Sequence, residues 1–294
     1  MTTRTWVSGI SHADDAGFRA WGLELSIELN AVLPKTADTG QINWNTVTRP
    51  ALNATAGYEI RRFDDALQAT APIFIRFEYG TAAVANIPSI WMTVGSGSNG
   101  SGTLTGVVTQ RERCTFIATM GSTNYPSLLS AAAGFFGLLW KAGAQSSNSG
   151  VGFIAVARHA DASGAATGEG FLVLWGAPNV SSTCTAQCVR TAAPATVFAA
   201  SNQFALVPGQ VVSSAVDSDY QAYAVMGINP RVWMVPTLAV VCLVDVPDRS
   251  SFQTAMVGST PRTFVSVGAG FRPVVAGTGP GTISSYGLAM VWEP

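Results

Sequence analysis

Apolar residues at intervals of three and four predict one helix near the start of the chain. The helix is expected to run roughly from Asp14 to Leu33, because Pro34 cannot continue it. Ser11 is expected to cap it, with Asp14 three residues later in a capping-box spacing. The repeating apolar residues are Phe18, Trp21, Leu25, Leu29 and Val32.

The same helix carries a second apolar set, Leu23 and Ile27. One stripe is enough to cover a core, so two sets favour a helix held between two partners. On this interpretation residues 1–34 form an N-terminal docking segment at a subunit junction. An ordinary helix that covers a sheet is the alternative. The expected assembly interface consists of Phe18, Trp21, Leu25 and Leu29.

After Pro34 the apolar pattern changes from a period of 3.6 residues to a period of 2, which is typical of β-strands. Gly134 and Gly137 favour a strand over a helix in the segment that contains them, because each glycine penalises a helix. The strands predicted in this half of the chain are 41–47, 58–63, 73–79, 90–94, 115–119 and 135–141.

The clearest hairpin signal lies in the middle of the chain. Two apolar runs, 153–157 and 171–175, flank the polar stretch 159–169. Further strands are predicted at 195–199, 204–207, 222–226, 232–235, 238–244, 263–267 and 287–292.

About a dozen strands and one helix predict a mainly β fold, an antiparallel β-sandwich or barrel-like body with one N-terminal α-helix. The β-rich body is expected to span 35–294, as one domain or as two β lobes that share a core. Its weakest boundary is a flexible polar loop at 95–102, which consists of Gly, Ser and Asn.

Composition adds a signal that periodicity does not give. Charged residues make up 11% of the 294 residues, against about 25% in an average globular protein, while AVILMFWYC make up 48%. This apolar content is too high for a disordered chain. The charge deficit indicates a surface covered by small polar residues, by other protein chains, or by both. We therefore expect a symmetric homo-oligomer, with three-fold or higher symmetry.

The charge balance and the hydropathy pattern exclude two classes of partner. The net charge is −1, from 16 Lys and Arg against 17 Asp and Glu, so nucleic acid is not an expected partner. No membrane span is predicted, because the longest uncharged run is broken by Pro126 and leaves only 128–140, which is too short. The first residues lack the apolar core of a signal peptide, which predicts synthesis in a cytoplasm.

The four cysteines follow the same expectation. Cys114 and Cys242 lie among strand-like apolar residues and are predicted to be buried thiols. Cys184 and Cys188 could approach each other across a loop, but a reducing compartment favours free thiols over a disulfide.

Sequence motifs for cofactor, metal or nucleophile chemistry are weak. The segment 95–100 matches the dinucleotide pattern in its letters, but the residues after it cannot open a helix, so a mobile hairpin loop is the better interpretation. Each of the two histidines, His12 and His159, has an aspartate nearby, and a solvated histidine is favoured over a metal ligand or a triad. We predict no catalytic residue, no cofactor and no metal site.

Two pairs of carboxylates and several tryptophans remain for carbohydrate chemistry. Glycoside cleavage uses two carboxylates, but aspartates this close in sequence are more often exposed in turns. Tryptophan rings stack on sugars when exposed and otherwise fill a core. The residues concerned are Asp64, Asp65, Asp217, Asp219, Trp44, Trp91, Trp175 and Trp233.

Five segments share compositional and turn patterns with a known group of proteins: ADTGQINWNTVTRP at 37–50, GYEIRRF at 57–63, PIFIRFEYG at 72–80, GFFGLLWK at 134–141 and RHADASGAATGEG at 158–170. In these patterns the first 175 residues resemble tailed-bacteriophage virion proteins. The resemblance implies a non-enzymatic structural protein of the virion, made in the cytoplasm of the bacterial host, and it supplies no functional residues.

The resemblance implies partners but leaves the position in the particle open. It implies association with further copies of the chain and with other virion proteins. Among the positions that it leaves open, we expect the tail tip or fibre region. A capsid decoration protein and an adhesin that binds host-surface glycans are alternatives, as is a glycan-active enzyme. The adhesin predicts a shallow aromatic cluster in the second half of the chain, the enzyme predicts two facing carboxylates, and the structural subunit predicts neither.

Overall fold

The structure is a computed structural model of the chain. It describes residues 1–9, 14–82, 88–109, 111–115, 124–141, 151–161, 165–176, 185–190, 196–198, 204–213, 220–228, 232–243, 252–257, 260–271 and 286–292. Its helices are α1 (Asp15–Asn30) and a short 3-10 helix (Ala66–Ala69). Its strands are β1 (Thr2–Gly9), β2 (Thr55–Arg62), β3 (Phe74–Thr81), β4 (Pro88–Gly95), β5 (Gly97–Ser98), β6 (Leu104–Thr105), β7 (Glu112–Thr115), β8 (Asn124–Ala132), β9 (Phe135–Lys141), β10 (Val151–Ala160), β11 (Ala166–Gly176), β12 (Thr185–Arg190), β13 (Thr196–Phe198), β14 (Phe204–Ser213), β15 (Tyr220–Ile228), β16 (Val232–Leu243), β17 (Phe252–Val257), β18 (Thr260–Phe271) and β19 (Tyr286–Val291).

The strands pair in antiparallel fashion into a large sheet, a four-stranded sheet and the two-stranded sheet of β5 and β6. The 13-stranded sheet follows the order β1-β8-β9-β10-β16-β19-β18-β17, with β11, β12 and β13 branching from β10 and with β15 and β14 branching from β16. The four-stranded sheet has the order β2-β3-β4-β7. This mainly β, antiparallel and sandwich-like arrangement with one N-terminal helix confirms the fold class predicted from the sequence.

One core joins the two sheets and α1. On β3, Phe77 lies 6.1 Å from Phe136 of β9, measured between ring centroids. Two residues further along the same strand face, Tyr79 lies 6.0 Å from Trp21 of α1 and 4.9 Å from Trp44. The inner face of the small sheet therefore packs on the large sheet at one place and on α1 at the other.

The N-terminus of α1 differs from the prediction in its cap. Asp14 is the N-cap, and its carboxylate accepts a hydrogen bond of 2.8 Å from the backbone N–H of Gly17. The Ser11 cap was therefore the wrong choice. Asp14 takes this role because its extended backbone and short acidic side chain suit the free N–H groups of the first turn. Ser11 itself lies outside the described residues.

The side chains expected to form the assembly interface are in the core of the chain itself. Each of the four is at most 2% exposed and belongs to the core, where Phe18 and Trp21 pack on Trp44. They cannot contact a neighbouring subunit without opening the fold, so the interface assignment was wrong. The residues concerned are Phe18, Trp21, Leu25 and Leu29.

Residues 1–34, expected to form a docking segment, are part of the β fold. β1 pairs along its whole length with β8, from Thr2 opposite Ala131 to Gly9 opposite Asn124, and it forms an edge of the large sheet. The described part of this segment contributes a strand to the sheet and a helix to the core. None of the helices that the structure describes is long and apolar enough to span a membrane.

The alternating segment 41–47 is not a strand. The backbone N–H of Ile42 donates to Tyr58 at 2.9 Å, but the N–H groups of Thr46 and Val47 donate back to Asn43 and close a turn. The alternation has another cause, since Ile42 and Trp44 both enter the core from a loop. The period of two residues in this segment therefore reflects the burial of alternate side chains, and the segment does not pair as a strand.

The glycine- and serine-rich segment 95–102 forms part of a small hairpin, in which β5 pairs with β6. Hydrogen bonds fix it to the loop before β2. Asp38 accepts from the Ser98 hydroxyl and from the N–H of Gly102, and the N–H of Thr39 donates to Gly100 at 2.9 Å. The expected hairpin is present, and it is held in place by these bonds.

The central hairpin is present as predicted, with β10 paired to β11 from Phe153 opposite Gly176. The predicted strands 232–235 and 238–244 form one strand, β16, which has a register shift where it pairs with β15. Of the predicted strand 115–119, only Thr115 lies within the described residues, at the end of β7.

Candidate functional site

The outer surface of α1 carries an apolar stripe. Leu23 is 41% exposed and Ile27 is 57% exposed, and residues four apart are neighbours on a helix, so the two aliphatic side chains form one exposed apolar patch. Three exposed alanines extend the stripe along the helix. The five positions fall within roughly 80° of one another at 100° per residue. We call this surface the outer stripe, and it consists of Ala16, Ala20, Leu23, Ile27 and Ala31.

A buried carboxylate on β2 fixes the inner side of α1. Oε1 of Glu59 accepts hydrogen bonds from Ser26 of α1 at 2.7 Å and from Lys35 at 3.1 Å. Oε2 accepts from Tyr79 at 2.7 Å and from Arg61 at 2.7 Å. A buried carboxylate is stable when charged donors and hydroxyls surround it in this way.

Arg61 links this carboxylate to the C-terminal end of α1. Its guanidinium donates to Asn30 at 2.8 Å, to the carbonyl oxygen of Leu33 at 2.9 Å and to that of Ser26 at 3.0 Å. The last turn of α1 contains no basic residue of its own. Arg61 therefore supplies the positive charge that the partially negative end of a helix favours.

The geometry determines the charge of the cluster. Burial alone would raise the pKa of Glu59, but the Arg61 charge and the hydrogen bonds from Ser26, Arg61 and Tyr79 lower that pKa from 4.5 to about 2. Burial and the negative charge of Glu59 raise the pKa of Tyr79 well above 10. At neutral pH the cluster is thus an ionised Glu59 paired with Arg61, and α1 is held with its outer stripe turned to solvent.

The first predicted carboxylate pair lines an open pocket near the end of α1. The pocket has a volume of about 290 Å³, and Met1, Ala31, Asp64 and Gly134 are among its lining residues. Asp64 is exposed, as predicted for an aspartate in a turn. The pair is otherwise not what the turn interpretation predicted, because Asp65 is the counter-charge of a buried arginine.

The arginine that holds Asp65 is Arg158 of β10. Its Nε and Nη2 donate to the two oxygens of Asp65 at 2.6 and 2.9 Å, and its Nη1 donates to the carbonyl oxygen of Ala71 at 2.7 Å. This bidentate pair joins the central hairpin to the segment that precedes β3.

His159, which follows Arg158, is buried, so the expected solvated histidine was wrong. The physical reason is the position of β10 in the large sheet, between β9 and β11, where neither face is open to water. Burial lowers the pKa of His159 from 6.5 to about 4, although the nearby Glu169 acts in the opposite direction. His159 is therefore neutral at pH 7.

The remaining predicted residues divide into core residues and residues outside the description. Trp44 and Trp91 are each 6% exposed, and Cys114 is a buried thiol, as predicted. In the part of the chain that the structure describes, no three His, Cys, Asp or Glu side chains are close enough to hold a metal ion. Outside the described residues lie His12, Cys184, Asp217 and Asp219 and the side chains of Trp175, Cys188, Trp233 and Cys242.

The Glu59 cluster was not predicted from the sequence, although a signal for it was present. Glu59 and Arg61 are two residues apart on a strand, so their side chains lie on one face, and that face also carries the inward-pointing Gly57. The imperfect alternation of the predicted strand 58–63 reflected a charged pair on the core side. An ion pair inside a strand pattern could have indicated this.

In comparisons with known proteins, no protein-family model, no curated protein and no solved structure matches the chain.

Proposed function

We propose that this chain is a non-enzymatic structural subunit that associates with further copies of itself through the outer stripe of α1. The observation that carries the proposal is the exposure of Leu23 and Ile27 on a helix whose opposite side already fills the core. A helix that only covers a core has a polar outer face.

The spacing of the stripe supports a second copy as the partner. Its positions are separated by four, three, four and four residues, which is close to the seam spacing of paired helices. Alanines at three of the five positions allow the two helix backbones to approach closely, and Leu23 and Ile27 provide the side chains that interlock. Stripes from three or more copies can pack around one symmetry axis, as helices with this spacing do in three- and four-stranded assemblies.

The distribution of charge supports assembly in a second way. The chain has 16 Lys and Arg and 17 Asp and Glu, 33 charged residues in all, and Glu59, Arg61, Glu78 and Arg158 are buried. The surface is therefore even poorer in charge than the composition implies. Low surface charge favours association and disfavours a dispersed monomer.

The virion is the assembly that we propose for this subunit. The support is the likeness of the first 175 residues to tailed-bacteriophage virion proteins. Within the particle we propose the tail tip or fibre region, with decoration of the head as the alternative. Immunogold labelling of purified particles with an antibody to the chain tests this. We expect label at the tail. Label on the head would move the subunit to decoration, and unlabelled particles would contradict a virion role.

Light scattering of the purified chain tests the assembly itself. The wild-type protein should have the mass of a symmetric oligomer, with three-fold or higher symmetry as the composition suggests. Leu23→Asp/Ile27→Asp should be a folded monomer, because a charge on the stripe cannot be buried in an interface without a partner.

Matched controls come from two other exposed aliphatic residues, Leu52 and Val107, which are 52% and 54% exposed. Leu52→Asp/Val107→Asp should keep the wild-type mass. A monomeric wild type would refute the assembly. An oligomer that survives in Leu23→Asp/Ile27→Asp would assign the interface to another surface.

A further inference from the structure

The outer face of the four-stranded sheet, which points away from the core, carries a row of polar and aromatic side chains. Tyr58, Glu78, Trp91 and Arg113 occupy directly opposed positions on β2, β3, β4 and β7. Alternation along β3 places this row on the side opposite Phe77 and Tyr79, the core residues of that strand. The row is therefore independent of α1 and its outer stripe.

Three arginines lie on this row, and two of them flank the carboxylate of Glu78. Nε of Arg111 lies 2.6 Å from Oε2 of Glu78, and Nη2 of Arg76 lies 3.6 Å from Oε1 of the same carboxylate. Arg113 donates from its Nη1 to Asn53 at the side of the row. Three positive charges and one negative charge leave a local excess of two positive charges, in a chain whose net charge is −1.

Aromatic rings hold the guanidinium groups in place. The Cζ atoms of Arg111 and Arg113 lie 5.0 and 6.0 Å from the ring centroid of Trp91, and that of Arg76 lies 4.5 Å from the ring centroid of Tyr58. The side chain of Arg111 is nevertheless 48% exposed and that of Arg76 is 30% exposed. The cations are thus oriented before any ligand arrives, which lowers the entropic cost of binding.

Most of the donors of these three side chains remain available. A guanidinium has five N–H donors in a planar fork that fits two oxygens of an oxyanion. Glu78 takes the Nε donor of Arg111, and Asn53 takes one donor of Arg113. Nε of Arg76 also has no hydrogen-bond partner among the described residues, but it is buried and does not count among the donors open to a ligand. The fold has positioned more donors here than its own side chains use.

We propose that the three arginines on this row, Arg76, Arg111 and Arg113, bind the carboxylate or sulfate groups of an acidic polysaccharide. From β3 to β7 the row crosses two strand spacings, roughly 10 Å, which exceeds the size of one oxyanion and fits successive anionic groups on a chain. Trp91 is only 6% exposed beneath the guanidiniums, so a ligand meets charged forks and not a bare ring. Neutral sugars, which need an open ring face, do not fit.

The same observations disfavour a nucleic acid. Nucleic-acid affinity at physiological salt draws on six to ten phosphate contacts in typical cases, and this row offers three cations. Single-stranded nucleic acids also need exposed rings on which bases can stack, and Tyr58 and Trp91 are occupied by arginines.

Isothermal titration of the full chain tests the proposal with five probes: polygalacturonate, dextran sulfate, neutral dextran, sodium sulfate and a single-stranded oligonucleotide. We expect binding of the two acidic polysaccharides, weakening as salt is raised, and no binding of neutral dextran. Arg111→Gln/Arg113→Gln should lose at least tenfold in affinity. The matched control is Arg4→Gln, an exposed arginine on the large sheet, which should bind like the wild type.

A second variant separates binding from folding. Arg111→Lys/Arg113→Lys keeps the charge but loses the fork, and it should bind more weakly than the wild type with an unchanged unfolding midpoint. Absence of polysaccharide binding, equal binding of neutral dextran, or full affinity in Arg111→Gln/Arg113→Gln would overturn the proposal. Binding of sulfate without binding of either acidic polysaccharide would mean that the row takes an adventitious ion only. Tighter binding of the oligonucleotide than of the polysaccharides would mean that the ligand is a nucleic acid, and it would also overturn the proposal. Each of these results is independent of the mass measured for α1 variants.

Discussion

Two ionisable residues, Glu59 and His159, are buried in opposite charge states. Glu59 keeps its charge, because Arg61 and several donors replace the water that it has lost. His159 gives up its charge, because burial in the middle of the large sheet favours the neutral imidazole. Both charge states depend on pH, and each affects the stability of the fold in a different pH range.

The two residues predict a loss of stability in acid in two separate ranges. As the pH falls, His159 takes up a proton at a higher pH in the unfolded chain than in the folded chain. The free energy of unfolding should therefore fall as the pH drops from 6.5 towards 4. The low pKa of Glu59 stabilises the fold above pH 4.5, and this contribution is lost as the pH drops from 4.5 towards 2. Each contribution corresponds to about 3 kcal/mol at full extent.

Urea unfolding at a series of pH values measures both contributions. His159→Gln should remove the decline between pH 6.5 and 4. Glu59→Gln should flatten the lower range and cost about 3–5 kcal/mol at pH 7, since it leaves Arg61 buried without its counter-charge. Glu28→Gln, at a weak and partly exposed contact with Arg4, should change little. A wild-type decline above pH 4.5 that persists in His159→Gln would contradict the role given to that residue.

At the scale of elements, α1 shows what periodicity can and cannot give. The spacing from Phe18 to Leu29 predicted the helix correctly, and it predicted two apolar faces. It did not say which face is internal, because both stripes are apolar. The choice depends on bulk: Phe18 and Trp21 match the aromatic pocket made by Trp44 and Tyr79, whereas the outer stripe contains mainly alanine.

Truncation on the two faces of α1 should have very different costs. Leu29→Ala leaves a cavity in the core and should lower the free energy of unfolding by about 2–5 kcal/mol. Ile27→Ala shortens a side chain that is 57% exposed, so it should change the free energy of unfolding by less than about 0.5 kcal/mol in dilute solution. Urea titrations at low protein concentration measure both. Comparable losses in the two variants would mean that Ile27 is packed within the chain.

The strands show a similar division between what could and could not be predicted. β2, β3, β4, β9, β10 and β11 follow period 2 or dense apolar runs and were predicted. β1 was missed, because an edge strand rich in threonine lacks the apolar alternation of a buried strand. The segment 41–47 was wrongly predicted, because Ile42 and Trp44 alternate into the core from a turn. Both cases depend on whether the segment pairs with a strand that is distant in the sequence, and the local pattern of apolar residues does not contain this information.

For the whole molecule, composition carried information that no motif did. A charge content of 11% predicted an unusual surface, and the fold deepens the deficit by burying Glu59, Arg61 and Arg158. Sequence could not indicate where the remaining charges gather. The row of arginines on the small sheet depends on the register that sets Glu78 beside Trp91 and Trp91 beside Arg113.

Association through the outer stripe also has a consequence for thermal stability. Because copies bind one another only when folded, mass action predicts an unfolding midpoint that rises with protein concentration. Over a hundredfold range in concentration, scanning calorimetry should show this rise for the wild type and for Leu52→Asp/Val107→Asp. Leu23→Asp/Ile27→Asp should instead unfold at one temperature throughout, close to the low-concentration value of the wild type, because its core is untouched. A midpoint far below that value would show that the stripe supports the fold of the single chain, and a constant wild-type midpoint would separate folding from assembly.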